Sequence, residues 1–373
     1  MLIDVSVIIR HDAKTGIQRV VRVLGEHLHS ARQVDFDVRF VGASRYVPFR
    51  FVDGAFLTGK PVGAFASFVI PRRGDVFLGL DLSSRILPRY SWQVARWRRR
   101  GVKIAVLIYD LLPIQHPEWF EDKLKRSFEN WVRFVADQCD VAFCISRSVG
   151  ASFTQWLART PDVSPTRLRL ATIPLGGDLL RDRQQVQIGG DDLARLERLS
   201  SRPFLLVVGT IEPRKGHTVL LDAFDRLSSQ DDRLAPSLVI VGRPGWKTAD
   251  LQARIRAHPM LGRSLFWFDN ASDALVDRLY RQAAGVVVPS YAEGFGLPLA
   301  EAAILGKRIL ARDIAVFREH DFPNVTYFSE DDPASLAVSI TSFLAGDAPI
   351  APAKAVSTWR QSGEKLIEAL AEL

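Results

Sequence analysis

Short apolar runs separated by intervals of helical length set the rhythm of this 373-residue chain. Leu2 to Ile9, Val38 to Val41, Asp75 to Leu80, Lys103 to Ile108 and Val141 to Ile145 form one series. Phe204 to Val208, Leu238 to Val241, Ser264 to Phe268 and Gly285 to Val288 form a second. Strand-length runs alternating with helix-length intervals predict an α/β fold with parallel sheets. Ile173-Pro-Leu-Gly-Gly-Asp178 and a polar stretch reaching Ser201-Arg-Pro203 separate the two series. The expected domains are therefore residues 1–173 and 174–354. Near the end, Trp359, Leu366, Ile367 and Leu370 recur at helical spacing, the buried face of a packing helix with no chemistry of its own. No repeat of about 20 to 50 residues is present, which excludes a solenoid.

Composition narrows the class. With 47% hydrophobic and 24% charged residues, the chain can bury two cores. No stretch approaches the roughly 20 apolar residues of a membrane span, and Met1-Leu-Ile-Asp-Val-Ser reads as a polar-interrupted strand rather than a signal core. A cytoplasmic location is expected. Cys139 and Cys144 lie in an apolar strand pattern, as buried thiols do, and point to neither a disulfide nor a metal site. The charge is uneven: residues 1–173 carry a net +10 and residues 174–373 a net −3. A basic half suits nucleic acid, anionic lipid or a phosphate-bearing substrate. Its most basic and aromatic segment is Tyr90 to Arg100, where Trp92, Arg96, Arg99 and Arg100 can share a helical face. That face reads either as an interfacial anchor or as an ordinary surface helix whose tryptophans pack inward on Asp75 to Leu80.

The candidate chemistry sits in the second series. After Gly285 to Val288 comes Pro289-Ser-Tyr-Ala-Glu-Gly-Phe-Gly-Leu-Pro-Leu-Ala-Glu301, a glycine loop opening a helix. Pro298 suits the first helical turn, so the amides of Gly294, Phe295, Gly296 and Leu297 lie at the positive end of a helix dipole, where phosphate binds. Glu293 and Glu301 place two carboxylates beside that anion site. Carboxylates accept from hydroxyls while amides and cations hold phosphate, which suits an anion decorated with hydroxyls, such as a nucleotide sugar. A second motif, Phe204-Leu-Leu-Val-Val-Gly-Thr-Ile-Glu-Pro-Arg-Lys-Gly216, ends a buried strand in adjacent cations. Arg214 and Lys215 can clamp a diphosphate and steady the charge that grows on a leaving nucleoside diphosphate.

Glu, seven residues, then Glu resembles the signature of retaining glycosyltransferases of the GT-B fold, and Ser290, Gly294-Phe-Gly-Leu-Pro298 and the Arg214-Lys215 turn resemble family 4 in particular. The resemblance covers nearly the whole chain. It implies two Rossmann-like domains facing across a cleft, with residues 355–373 crossing back to the first. Its donor site would have Arg214 and Lys215 on the diphosphate, the Gly294 to Leu297 amides and Ser290 nearby, Glu293 on sugar hydroxyls and Glu301 on the ribose. It implies no cofactor and no metal. Glu293 and Lys215 are expected to be exposed in the cleft. Thr15-Gly-Ile-Gln-Arg19, Tyr109-Asp-Leu-Leu-Pro113 and Gly209-Thr-Ile-Glu-Pro-Arg-Lys215 look like bacterial enzymes of O-antigen, capsule or exopolysaccharide synthesis. Many of these use GDP-mannose and glycan or polyprenyl-linked glycan acceptors, so a peripheral contact with anionic membrane is implied.

In the first domain, Gly16 resembles the family's glycine loop that touches donor phosphates; its plainer reading is a turn glycine. Where family members carry a histidine after the fourth strand, this chain has Tyr109, so Asp110 becomes the candidate for the acceptor hydroxyl, with His116 as an alternative. The Asp-x-Asp at Asp35-Phe-Asp37 leads into a strand instead of following one and reads as a surface turn. The other functional classes are a basic nucleic-acid-binding protein, a non-catalytic scaffold and a sugar-nucleotide epimerase. The first leaves the glutamate loop unexplained and shows no nucleic-acid module. Intact Glu293, Arg214 and Lys215 argue against the second. The third is not expected to combine that cation turn with the glutamate pair.

Overall fold

The computed structural model describes residues 1–12, 15–30, 37–58, 60, 63, 67–163, 165–179, 188–199, 202–230, 235–346 and 356–373. Asp35 and Phe36 of the Asp-x-Asp, and Ser201 at the end of the expected linker, lie outside them. Two compact units divide the chain, Met1–Gly176 with Ser357–Leu373, and Gly177–Val356.

The first unit is built on strands β1 (Leu2–Asp4), β2 (Arg39–Gly42), β3 (Arg50–Val52), β4 (Val76–Gly79), β5 (Lys103–Ile108), β6 (Val141–Cys144) and β7 (Arg169–Thr172), in the order β3-β2-β1-β4-β5-β6-β7. Only β3 runs antiparallel, against β2. Helix Gly16–Ser30 buries Val20, Val21, Leu24 and Leu28. Helix Trp359–Ala371, opened by a reciprocal cap between Thr358 and Gln361, buries Trp359, Leu366 and Leu370. Gly363 permits its contact with the first helix, since a Cβ there would lie 3.0 Å from the Cβ of His27. Helix Ser91–Arg99 sends its two tryptophans to opposite sides. Trp97 packs inward on Phe77 of β4 and on Phe49, with centroids 5.5 and 5.7 Å away. Trp92 is 56% exposed, on a surface shared with exposed Arg96, Arg99 and Arg100. Cys139 and Cys144 are free and buried, and burial pushes both thiols up.

The second unit carries β8 (Phe204–Val208), β9 (Ser237–Val241), β10 (Leu265–Phe268), β11 (Gly285–Val288), β12 (Ile309–Arg312) and β13 (Val325–Phe328), all parallel, in the order β10-β9-β8-β11-β12-β13. Its core joins Leu205, Val207, Leu238, Ile240, Val287 and Leu310 of the strands to Leu220, Phe224, Leu336 and Phe343 of flanking helices. In both units the order reverses beside the first strand, between β1 and β4 and between β8 and β11. Such a reversal opens a crevice at the carboxyl ends of the strands, where open α/β sheets bind ligands.

Four strands have no counterpart in the apolar pattern. β3 is three residues long, β7 is an edge strand with three of its four residues exposed, β13 is an edge strand with only Phe328 buried, and the apolar run of β12 ends at Arg312. The opposite error occurs at β1, which stops at Asp4 although the apolar run continues to Ile9. Asp4 accepts the Ser6 amide at 2.9 Å and the Ser83 hydroxyl at 2.7 Å, while Asp81 accepts the Val7 and Ile8 amides at 2.7 Å each. These bonds take the amides that a longer strand would have used in the sheet. Both carboxylates are buried at the switch point of the first sheet. Burial pushes Asp4 up to about 6, and burial together with the charge of Asp4 pushes Asp81 up to about 7.

A carboxyl raised in the folded state stabilises it fully below the unfolded pKa, and that contribution is lost as pH climbs through the folded value. For Asp81 the window runs from 3.8 to about 7. Asp81→Asn keeps an oxygen for the Val7 and Ile8 amides and removes the charge. Thermal melts are expected to show its Tm rising relative to wild type as pH is raised across that window, then levelling off. A Tm difference independent of pH contradicts the burial of an ionising carboxylate there.

Candidate active site

Parallel pairing of β8 with β11 brings two loops out side by side at the switch point of the second sheet. The β8 loop turns through Pro213–Lys215 and ends at Gly216, whose φ of 67° is left-handed. A Cβ at Gly216 would lie 2.2 Å from the carbonyl oxygen of Pro289, so only glycine lets this loop close on the one after β11. Tyr291 N–H then donates to the Arg214 carbonyl at 2.8 Å, tying the loops together. From the far side, buried Arg312 donates to the Pro289 carbonyl at 3.1 Å and stacks over the Tyr291 ring, 4.1 Å from its centroid. The Tyr291 hydroxyl bonds Asp331, and burial followed by that bond pushes its pKa up to about 12.

The charged groups converge between these loops. Arg214 Nε donates to Glu212 Oε2 at 2.9 Å and its Nη1 to Glu293 Oε2 at 2.7 Å, while Lys215 Nζ donates to Glu293 Oε1 at 2.5 Å. Arg214 also reaches the Ala292 carbonyl at 3.2 Å. Burial pushes the Glu293 carboxyl up, but the charges of Lys215 and Arg214 and their hydrogen bonds outweigh it and hold the group down at about 2. It is a carboxylate throughout the neutral range. Two residues beyond Lys215, His217 is buried, and neither ring nitrogen is hydrogen-bonded among the described residues; burial and the charge of Lys215 push it down to about 3. The imidazole therefore stays neutral and adds no third cation.

The expectation that Glu293 and Lys215 are exposed does not hold. Their side chains are only 8% and 11% exposed, because each is covered by its partner and by the paired loops. Glu293 and Lys215 are thus structural partners as well as candidate chemistry. Removing one leaves a largely buried charge, which typically costs about 3–5 kcal/mol.

Past Glu293, Gly296 caps helix Leu297–Ile304 with φ 89°, Pro298 in the first turn, and a Cβ at Gly296 would meet the Phe317 ring at 2.5 Å. Phe295 is buried, and its carbonyl meets His320 Nε2 at 2.7 Å. Ser290 is buried beneath the loop. Glu301, also buried, accepts from the Tyr280 hydroxyl at 2.7 Å. Among the described residues, no three His, Cys, Asp or Glu side chains converge to hold a metal ion.

Residues 191–365 match the family model described as glycosyl transferases group 1. Serotype-specific mannosyltransferase WbdA of Escherichia coli is 32% identical over 99% of this chain, which spans 46% of WbdA. The chain thus covers less than half the length of that relative. Among solved structures, Anabaena Alr3699/HepE in complex with UDP and glucose superposes with a TM-score of 0.68 at 16% identity, covering 100% of this chain and 99% of that one. Sucrose-phosphate synthase from Thermosynechococcus elongatus gives 0.61 at 19% identity, covering 99% and 94%. The chain has the GT-B fold.

The remaining candidates of this GT-B chain lie in the first unit. Gly16 opens helix Gly16–Ser30, with Thr15 N–H bonded to Gln18 Oε1 at 3.0 Å. Asp110, half-buried just beyond β5, accepts the Leu112 amide at 3.1 Å. Its neighbour Tyr109 is buried, and its hydroxyl donates to the Leu80 carbonyl at 2.7 Å, so it does not stand in chemically for an acceptor-side histidine. His116 is half-buried, stacked on Trp119 at 4.1 Å and 3.3 Å from Glu118. Four residues around the donor-side candidates went unassigned from sequence. Glu212 stands inside the quoted motif, and its charge two residues before Arg214 in a turn was the available signal. His217, Arg312 and Tyr280 carried none, since each depends on a contact far along the chain or on burial.

Proposed function

We propose that this chain is a retaining, metal-independent glycosyltransferase of family 4 type that transfers mannose from GDP-mannose to a glycan or polyprenyl-linked glycan in bacterial surface-polysaccharide synthesis. The observation that carries the reading is the convergence of Arg214, Lys215 and Glu293 at the switch point between β8 and β11. The mannosyltransferase name of WbdA, at 32% identity along nearly all of this chain, supports the sugar.

In this reading Arg214 and Lys215 take the diphosphate, Glu293 takes sugar hydroxyls, and Glu301, oriented by Tyr280, takes the ribose. The amides of Gly294 to Leu297 and buried Ser290 line the phosphate and sugar, Gly16 approaches the donor phosphates, and Asp110 meets the acceptor hydroxyl. As the glycosidic bond to the diphosphate breaks, negative charge grows on the leaving oxygens, and two preorganised cations stabilise it where little water competes. The acceptor attacks from the same face, passing its proton to the leaving phosphate oxygen, so configuration is retained without a protein nucleophile. The cations occupy the role that a carboxylate-held metal ion fills in other transferases.

Thermal-shift screening of GDP-, UDP- and dTDP-sugars is expected to give its largest rise with GDP-mannose, since the donor stabilises the fold by mass action. Turnover of that donor should persist in excess EDTA and fall by about 10²-fold or more in Glu293→Gln and Lys215→Met. Melting curves would separate lost chemistry from lost stability. More than about a tenth of wild-type turnover at saturating donor in a folded variant, or loss in EDTA with rescue by Mn²⁺, contradicts these assignments.

The first unit is proposed to work at anionic membrane. Exposed Trp92 with Arg96, Arg99 and Arg100 supports this, each cation contributing about 1 kcal/mol near anionic lipid. Among the described residues no helix is long and apolar enough to cross a membrane. Sedimentation with anionic vesicles should fall as salt rises and weaken when Arg96, Arg99 and Arg100 become Gln. Equal recovery with neutral and anionic vesicles at low salt assigns these arginines to an ordinary solvated face.

A further inference from the structure

The cations at the switch point already have counter-ions. Arg214 lies between Glu212 at 2.9 Å and Glu293 at 2.7 Å, and both oxygens of Glu293 are engaged, one by each cation. The side chains of Arg214, Lys215, Glu212 and Glu293 are 17%, 11%, 7% and 8% exposed, so the four charges meet with little water among them. A diphosphate approaching Arg214 and Lys215 therefore competes with the Glu293 carboxylate for both cations.

We infer that Glu293 is a specificity-determining internal counter-ion, which a diphosphate must displace and which only a sugar-bearing nucleotide re-satisfies. The inference rests on the donor-site reading above and extends it to how donor is told from product. A carboxylate displaced from two cations in a buried site is costly unless it finds new donors. Sugar hydroxyls are such donors. An intact nucleotide sugar therefore exchanges partners: its diphosphate takes the cations, and its hydroxyls take Glu293. A nucleoside diphosphate brings the first half of the exchange and leaves Glu293 unpaired. Once the sugar has left, Glu293 returns to Arg214 and Lys215 and expels the product. Neutral His217 suits this cycle, since a third cation would hold the product more tightly.

Calorimetric titration with inorganic pyrophosphate, which carries neither base nor sugar, isolates the displacement step. Glu293→Gln is expected to bind pyrophosphate about tenfold or more tightly than wild type, because the cations lose their competitor. Glu293→Asp, which keeps the charge with a shorter reach, should fall between the two. The affinity ratio of GDP-mannose to GDP should drop towards one in Glu293→Gln. Larger Tm rises with pyrophosphate in Glu293→Gln than in wild type give the same answer if the variant is less stable on its own. Pyrophosphate binding that is unchanged or weaker in Glu293→Gln, yet weakened by Arg214→Gln and Lys215→Gln, overturns the counter-ion role and leaves the donor site standing. Pyrophosphate binding indifferent to Arg214→Gln and Lys215→Gln overturns the donor-site reading itself.

Discussion

Everything at the candidate site depends on β8 and β11 being neighbours and parallel. Because the strand order reverses there, the helices after the two strands leave the space above their carboxyl ends open, and both loops emerge into it. Gly216 then lets the loops touch: any side chain would collide with the Pro289 carbonyl. Without that contact, Arg214 and Lys215 would not reach Glu293, nearly eighty residues along the chain.

The same closeness defines the electrostatics. Like-charged neighbours such as Arg214 and Lys215 are tolerated in a largely buried turn because two carboxylates oppose them, Glu293 held ionised by both. A buried pair of this kind is poor evidence for stability, since desolvation offsets most of its attraction. Its value is preorganisation. The groups stand in fixed geometry at the carboxyl ends of the two central strands, with Arg312 packed against Tyr291 of the second loop, ready to exchange one anion for another. The first sheet shows a contrasting use of the equivalent position. There Asp4 and Asp81 meet the backbone and two serine hydroxyls without a cation in the hydrogen bonds they make, and both are pushed towards the protonated form.

Much of this was legible in the sequence because it is written locally. Lys103 to Ile108, Phe204 to Val208 and Gly285 to Val288 are uninterrupted apolar runs with polar or glycine ends, and they form strands over the same residues. The two motifs are equally local, so the loops bearing Arg214, Lys215 and Glu293 could be named in advance. What escaped depends on distant contacts. β1 is cut short by Asp81, far along the chain, and β12 is a strand because it lies between β11 and β13. Exposure of Glu293 and Lys215 was misjudged for the same reason: a charge reads as solvated until its partner is found.

A crystal structure of the chain with GDP-mannose bound tests the central claim most directly. The account predicts diphosphate oxygens within hydrogen-bond distance of Arg214 and Lys215, with Glu293 moved from those cations onto the sugar hydroxyls. A nucleotide bound elsewhere, with Glu293 still on Lys215, would contradict it.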